Sequence, residues 1–123
     1  MTLKLTDSEV DGVSVVSLEG RIVLGDESNS LREKLKGMLV AGKKRIVLNM
    51  AQIKYIDSAG LGALVAAHVS AESHDASLRL CNLGEKFHEV LQLTRLVTVF
   101  DVYDSEATAV TSFQKLRVAS HHA

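Results

Sequence analysis

Apolar and polar residues change their rhythm several times along this chain of 123 residues. Leu3 and Leu5 alternate with Lys4 and Thr6; beyond Asp11-Gly12, Val16, Leu18 and Ile22 alternate with Ser17, Glu19 and Arg21. A period of two marks half-buried strands, and the turn between them predicts an antiparallel pair at a sheet edge. Gly25-Asp26-Glu27-Ser28 then opens a helix whose stripe is Leu31, Leu35, Met38 and Leu39, the spacing of one helical face. Acidic residues stand at its start and Lys34 and Lys36 nearer its end, as the helix dipole favours, and Gly42 is placed to stop it. Arg45 to Met50 is a near-continuous apolar run, the pattern of a strand buried on both faces.

A second helix is predicted from Ser58 to about Ser73. Leu61, Leu64, Val65 and His68 share one face, while Gly62, Ala63, Ala66 and Ala67 keep the helix slim enough to lie close to a sheet. Ser77 to Cys81 reads as a strand, Phe87, Val90 and Leu91 as a short third helix, and Val97 to Val102 as another strand. A last helix starts near Asp104-Ser105 and buries Ala109, Val110, Phe113 and Leu116. Two strands followed by alternating helices and strands predict an α/β domain of α+β character, with helices packed on a sheet that has parallel connections.

Composition narrows the functional classes. The absence of proline, low-complexity tracts and repeats leaves no place to divide the chain, so one domain is expected, with a core over about 3–117 and a tail over 118–123. Fourteen basic and fifteen acidic residues give a net charge of -1, which supplies no electrostatic drive towards nucleic acid or anionic lipid. Three Phe, two Tyr and no Trp offer little surface for base stacking. Cys81 is alone, so neither an intrachain disulfide nor a cysteine metal cluster can form. The first residues lack an apolar signal core, and the run from Ala59 to Val69 is too short to span a bilayer. A cytoplasmic protein without membrane insertion is the expectation.

The chemistry concentrates in Asp57-Ser58-Ala59-Gly60-Leu61-Gly62, where a loop meets the second helix. A hydroxyl or carboxylate there can cap free backbone N–H groups, an effect worth about 1 kcal/mol. The residues that follow are Ala-Gly-Leu-Gly instead of good surface helix formers, and each glycine costs roughly 1 kcal/mol against alanine. A junction that must stay flat and reachable would explain that sacrifice, and it makes Ser58 a candidate switch.

Competing chemistries fit less well. A dinucleotide fingerprint needs a small residue where Val65 stands and glycines directly after a strand, whereas Ala51 to Ile56 intervene. No lysine follows to make a P-loop. The nucleophile elbow of a hydrolase needs glycine where Ile56 lies, and His68 and His74 sit on the serine's own helix, with His88 further on. No histidine or carboxylate spacing, His121-His122 included, suggests a metal site. Lys43-Lys44-Arg45 reads as a solvated face. Catalytic residues, cofactor and metal are therefore all expected to be absent.

The run Ile46-Val47-Leu48-Asn49-Met50, then Ile53-Lys54-Tyr55-Ile56, then Asp57-Ser58-Ala59-Gly60-Leu61-Gly62 strongly resembles the bacterial anti-sigma factor antagonists, the STAS-domain family. Gly20-Arg21-Ile22 and Leu93-Thr94-Arg95-Leu96 extend the resemblance over almost the whole chain. It implies a mixed sheet of four to five strands flanked by about four helices. It also implies that Ser58 is phosphorylated by a partner that is both anti-sigma factor and serine kinase, and that a Ser/Thr phosphatase reverses this. Asp57, Ala59, Gly60, Leu61 and Gly62 would form the contact surface, with Asp26, Glu27 and Ser28 in a second contact loop. The family often places an aspartate soon after the position of Ile22; here Val23-Leu24-Gly25 precede Asp26, implying an extra loop residue. The resemblance equally admits a scaffold, or an accessory subunit of a signalling complex or of a lipid-transport ABC assembly.

Overall fold

The chain begins as a hairpin. The computed structural model describes residues 3–122, with side chains from Leu3 to Gln114 other than Val97. Strands β1 (Leu3–Val10) and β2 (Val13–Ile22) pair antiparallel, from Leu3 opposite Gly20 to Val10 opposite Val13. Asp11 and Gly12, at φ 51° and 79°, make the left-handed two-residue turn whose twist suits two strands, a backbone that Asp-Gly adopts readily.

From there helices and strands alternate: α1 (Asp26–Val40), β3 (Arg45–Ile56), α2 (Ser58–Ser73), β4 (Ser77–Cys81) and α3 (Glu85–Leu93). A single 3-10 turn (Leu96–Thr98), β5 (Asp101–Tyr103) and α4 (Glu106–His122) complete the fold. The five strands lie in chain order, β1 antiparallel to β2 and every later neighbour parallel. The expected mixed sheet with four helices is what the chain forms.

Alternation along the strands divides the core between two faces. Val16, Leu18, Ile46, Leu48, Leu78 and Leu80 pack with the buried residues of α1, α2 and α3, including the expected stripe Leu31, Leu35, Met38 and Leu39. On the other face Val13, Val15, Val47 and Cys81 meet Ala109, Val110 and Phe113 of α4. Polar links fix α4: Asn49 donates to the Glu106 carboxylate at 3.0 Å, and the buried Arg79 donates to the Ser112 hydroxyl. The Arg79 guanidinium also lies 3.9 Å from the centre of the Phe113 ring, a stabilising cation–π contact.

Several expectations need correction. The segment Ala51 to Ile56 is not a loop, because β3 continues through it and stays paired with β2 to Ile56. Two register shifts, between Ser17 and Glu19 and between Gly20 and Arg21, each place an extra residue on β3. Each bulge offsets the alternation by one, so Met50, Ile53 and Ile56, three residues apart, all reach the helix-covered face. That spacing hid the strand.

In α2 the buried residues are Gly60, Ala63, Leu64, Ala67 and Ala71, while Leu61, Val65 and His68 are only half-buried. Small residues, with Leu64, therefore make the buried side, and Ala66 and Ala67 meet Leu35 and Leu39 of α1, so the slim helix was foreseen but its buried face only in part. The strand expected over Val97 to Val102 shrinks to Asp101–Tyr103. Arg95 turns left-handed at φ 63°, and the N–H groups of Val99 and Phe100 bond back to the Leu96 carbonyl, which consumes the apolar run in a turn. The last turn of α1 holds no basic residue, since Lys34 and Lys36 fall in its middle. Leu116 and the tail residues lie where side chains are outside the described set.

Candidate functional site

The twice-bulged end of β3 delivers Asp57 to the C-terminal end of the central strand, directly beside the end of β2. Its N–H donates to the Ile22 carbonyl at 3.2 Å, and its extended backbone makes it the cap of α2. One carboxylate oxygen accepts the Gly60 N–H at 2.8 Å; the other accepts the Leu24 N–H at 3.0 Å. Asp57 therefore ties the loop after β2 to the first turn of α2, joining the two regions that the sequence had named separately. The Gly60 N–H foremost, and then that of Leu24, hold its carboxyl below the usual carboxylate range.

With Asp57 as the cap, Ser58 has no capping duty. It is the first residue of α2, exposed, and its hydroxyl makes no hydrogen bond among the described residues. Of the two capping groups the sequence offered, the carboxylate of Asp57 fills that place.

The two glycines behind it differ in kind. Gly60 is buried against the end of β2, and a β-carbon there would lie 2.0 Å from the Ile22 carbonyl oxygen. At Gly62, which is exposed, a β-carbon would meet nothing within 4 Å. Packing explains the first glycine and leaves the second unexplained.

The remaining expected contact residues separate by burial. Asp26 and Gly62 are exposed, and Ala59 and Leu61 half-exposed. Glu27 is half-buried. Ser28 is only 5% exposed and donates to the Gly25 carbonyl at 3.2 Å, so it braces the loop from within, as Gly60 braces the helix. Neither of these two presents a side chain to a visitor. Leu24, by contrast, is 76% exposed on the loop held by Asp57. Tyr55 is also exposed, with the Arg21 guanidinium 5.7 Å from its ring centre. In the sequence Tyr55 stands only within the motif and is assigned no place in the expected contact surface.

Other chemistries find little support here. The glycines do follow a strand closely, contrary to the sequence argument, yet Val65 still occupies the place of the third small residue of a dinucleotide site. His68 sits roughly 15 Å along the helix axis from Ser58 and stacks edge-on against Phe100. His74 is further still. Among the described residues no three potential ligands gather for a metal, and no helix is long and apolar enough to cross a membrane.

Comparison with known proteins agrees with this geometry. The family model described as STAS domain matches residues 4–109. A Bordetella bronchiseptica protein named as an anti-sigma factor antagonist, BtrV, is 28% identical over 112 residues, covering 91% of this chain and 96% of its own. An anti-sigma factor antagonist from Mycobacterium paratuberculosis has a TM-score of 0.78 at 20% identity, over 90% of this chain and 93% of that one. The Bacillus cell fate determinant SpoIIAA, solved in its phosphorylated form, has a TM-score of 0.68 at 19% identity, over 90% and 98%. At such identities the two solved structures speak for the fold alone.

Proposed function

Because the chain belongs to the STAS domain family, we propose that it is an anti-sigma factor antagonist switched by phosphorylation of Ser58. The unphosphorylated protein binds a partner that is both anti-sigma factor and serine kinase, and so frees a sigma factor in the cytoplasm. A Ser/Thr phosphatase resets it. One observation carries the reading: an unengaged, exposed serine hydroxyl stands at the start of a helix whose cap is supplied by its neighbour. The contact surface consists of Ser58, Ala59, Leu61 and Gly62, with Asp26 and the exposed Leu24 from the loop that Asp57 holds beside them. Asp57, Glu27, Ser28 and Gly60 shape that surface.

The mechanism is a local charge change. Phosphorylation adds about −1.5 to −2 charges at neutral pH. The N-terminal end of α2 tolerates an anion, so the fold persists. In a docked interface the same group brings bulk, a desolvation penalty and repulsion beside the ionised Asp57. A loss of about 3 kcal/mol of complex stability weakens binding by more than a hundredfold, enough to release the partner. ATP is bound and used by the partner, and this chain contributes the acceptor oxygen.

The test is direct. Incubation with the cognate kinase and ATP should add one phosphate by mass spectrometry, and Ser58→Ala should take up none. Ser58→Asp should keep the wild-type unfolding midpoint while binding the kinase on the order of a hundredfold more weakly. Equal labelling of Ser58→Ala would end the proposal.

A further inference from the structure

Strand β3 outruns its neighbour. Its ladder with β4 ends at Asn49 opposite Cys81, while its pairing with β2 continues to Ile56. Along Met50 to Ile56 the edge turned away from β2 therefore has no strand beside it among the described residues. Helix α3 lies across from that edge, and between the two runs a groove of about 390 Å³. The consecutive residues Ile53, Lys54, Tyr55 and Ile56 all line it, although alternate side chains of a strand point to opposite faces, so the strand presents its edge to the groove. Met50, Phe87 and Val90 supply further apolar lining. Lys54 and Lys86 stand among the lining residues against one acidic side chain, Glu85, so the charge there is net positive.

We infer that this groove receives an extended peptide segment, carrying aliphatic side chains on one side and acidic ones on the other, that pairs with the free edge of β3. Apart from the Ala51 N–H, which the Asn49 side-chain oxygen accepts at 3.0 Å, this edge carries main-chain N–H and C=O groups, broken in register by the two bulges, that an added strand can satisfy. Alternate aliphatic side chains enter the apolar lining and the acidic ones meet the two lysines. Ile56 lies two residues before Ser58, so the bound segment runs towards the switch. The inference rests on the partner-binding reading: the segment belongs to the partner that acts on Ser58, and gives it a hold beyond the serine itself.

The probe is the acetylated, amidated hexapeptide Glu-Val-Asp-Ile-Glu-Val, titrated into nitrogen-15-labelled full-length protein and followed by amide chemical shifts. Saturable shifts confined to residues 50–56 and 84–90 are expected. N-methylation of the peptide on its pairing edge should weaken binding at least tenfold, as should Val90→Glu, a change at an exposed wall position that leaves the fold intact. Absence of shifts at 50–56, or equal binding of the N-methylated peptide, overturns the inference. So does a response to dodecanoate alone, which would make the groove a site for a small amphiphile. Shifts at 50–56 that depend on protein concentration without peptide would make the occupant a second copy, and overturn it as well. If kinase labelling of Ser58 succeeds while the peptide fails, strand addition is wrong and the switch stands; the converse result removes the switch and leaves the groove.

Discussion

A methyl group added at each of the two glycines in the first turns of α2 should move stability in opposite directions. In Gly60→Ala the new carbon would lie 2.0 Å from the Ile22 carbonyl oxygen, 2.7 Å from its carbon and 2.9 Å from the Ile22 Cγ2. Ordinary contact begins near 3.4 Å, so more than an ångström of movement is required. The obstacle is backbone at the end of a paired strand, and that oxygen also accepts the Asp57 N–H, so it cannot swing aside. Overpacking of this kind costs about 1–3 kcal/mol, and a rigid obstacle puts it at the upper end. The gain in helix propensity returns roughly 1 kcal/mol. A net loss of about 2 kcal/mol remains, which for a domain of this size lowers Tm by roughly 6–10 °C. Gly62→Ala meets no obstacle and should gain about 1 kcal/mol from propensity alone, raising Tm by roughly 3–5 °C. Thermal and urea unfolding followed by circular dichroism measure both. Binding to the partner kinase supplies the second readout, where Gly62→Ala should weaken the complex even though the fold is firmer. A wild-type midpoint for Gly60→Ala would refute the packing argument. Undiminished partner binding by Gly62→Ala would refute the idea that this glycine keeps the contact surface flat.

Further outcomes follow from two titrating groups. The folded protein holds the Asp57 carboxyl below its unfolded value, so its contribution to stability is present above the ordinary carboxylate range and is lost as pH falls through the lowered folded value. Asp57→Asn keeps an oxygen for the Gly60 N–H but loses the anion and the second acceptor; its urea midpoint should lie below wild type at neutral pH, with the gap closing in acid. A constant gap at all pH values would contradict this. Burial, and secondly the Glu106 carboxylate, push the Cys81 thiol up to about 12. At pH 8 its reaction with a disulfide reagent should be slower than that of an unfolded control by on the order of a thousandfold, from ionisation alone. Rapid labelling of native protein would mean that α4 does not cover Cys81 as described.

Short-range pattern sufficed wherever one residue's neighbours along the chain also decide its environment. The hairpin at Asp11-Gly12, the stripe of α1, and the start of α2 at Ser58 could be read directly, because local dihedral preference and periodic burial act over a few residues. The same motif singled out Asp57 and Ser58. Tertiary structure decided what the chain alone left open. Bulges in β3 depend on pairing with β2, so Met50, Ile53 and Ile56 carried no legible strand period. The buried face of α2 was set by how closely its neighbours approach, the end of β2 at Gly60 and α1 at Ala67, which selects small residues over large ones. The tie between Asp57 and the loop after β2 came from Leu24, a residue distant in sequence whose N–H donates to the second carboxylate oxygen. The two glycines of the motif, either side of Leu61, look alike in the sequence, and only the position of the Ile22 carbonyl tells them apart. Contacts between distant segments cannot be inferred from local periodicity, and those contacts set an exposed serine beside a braced loop.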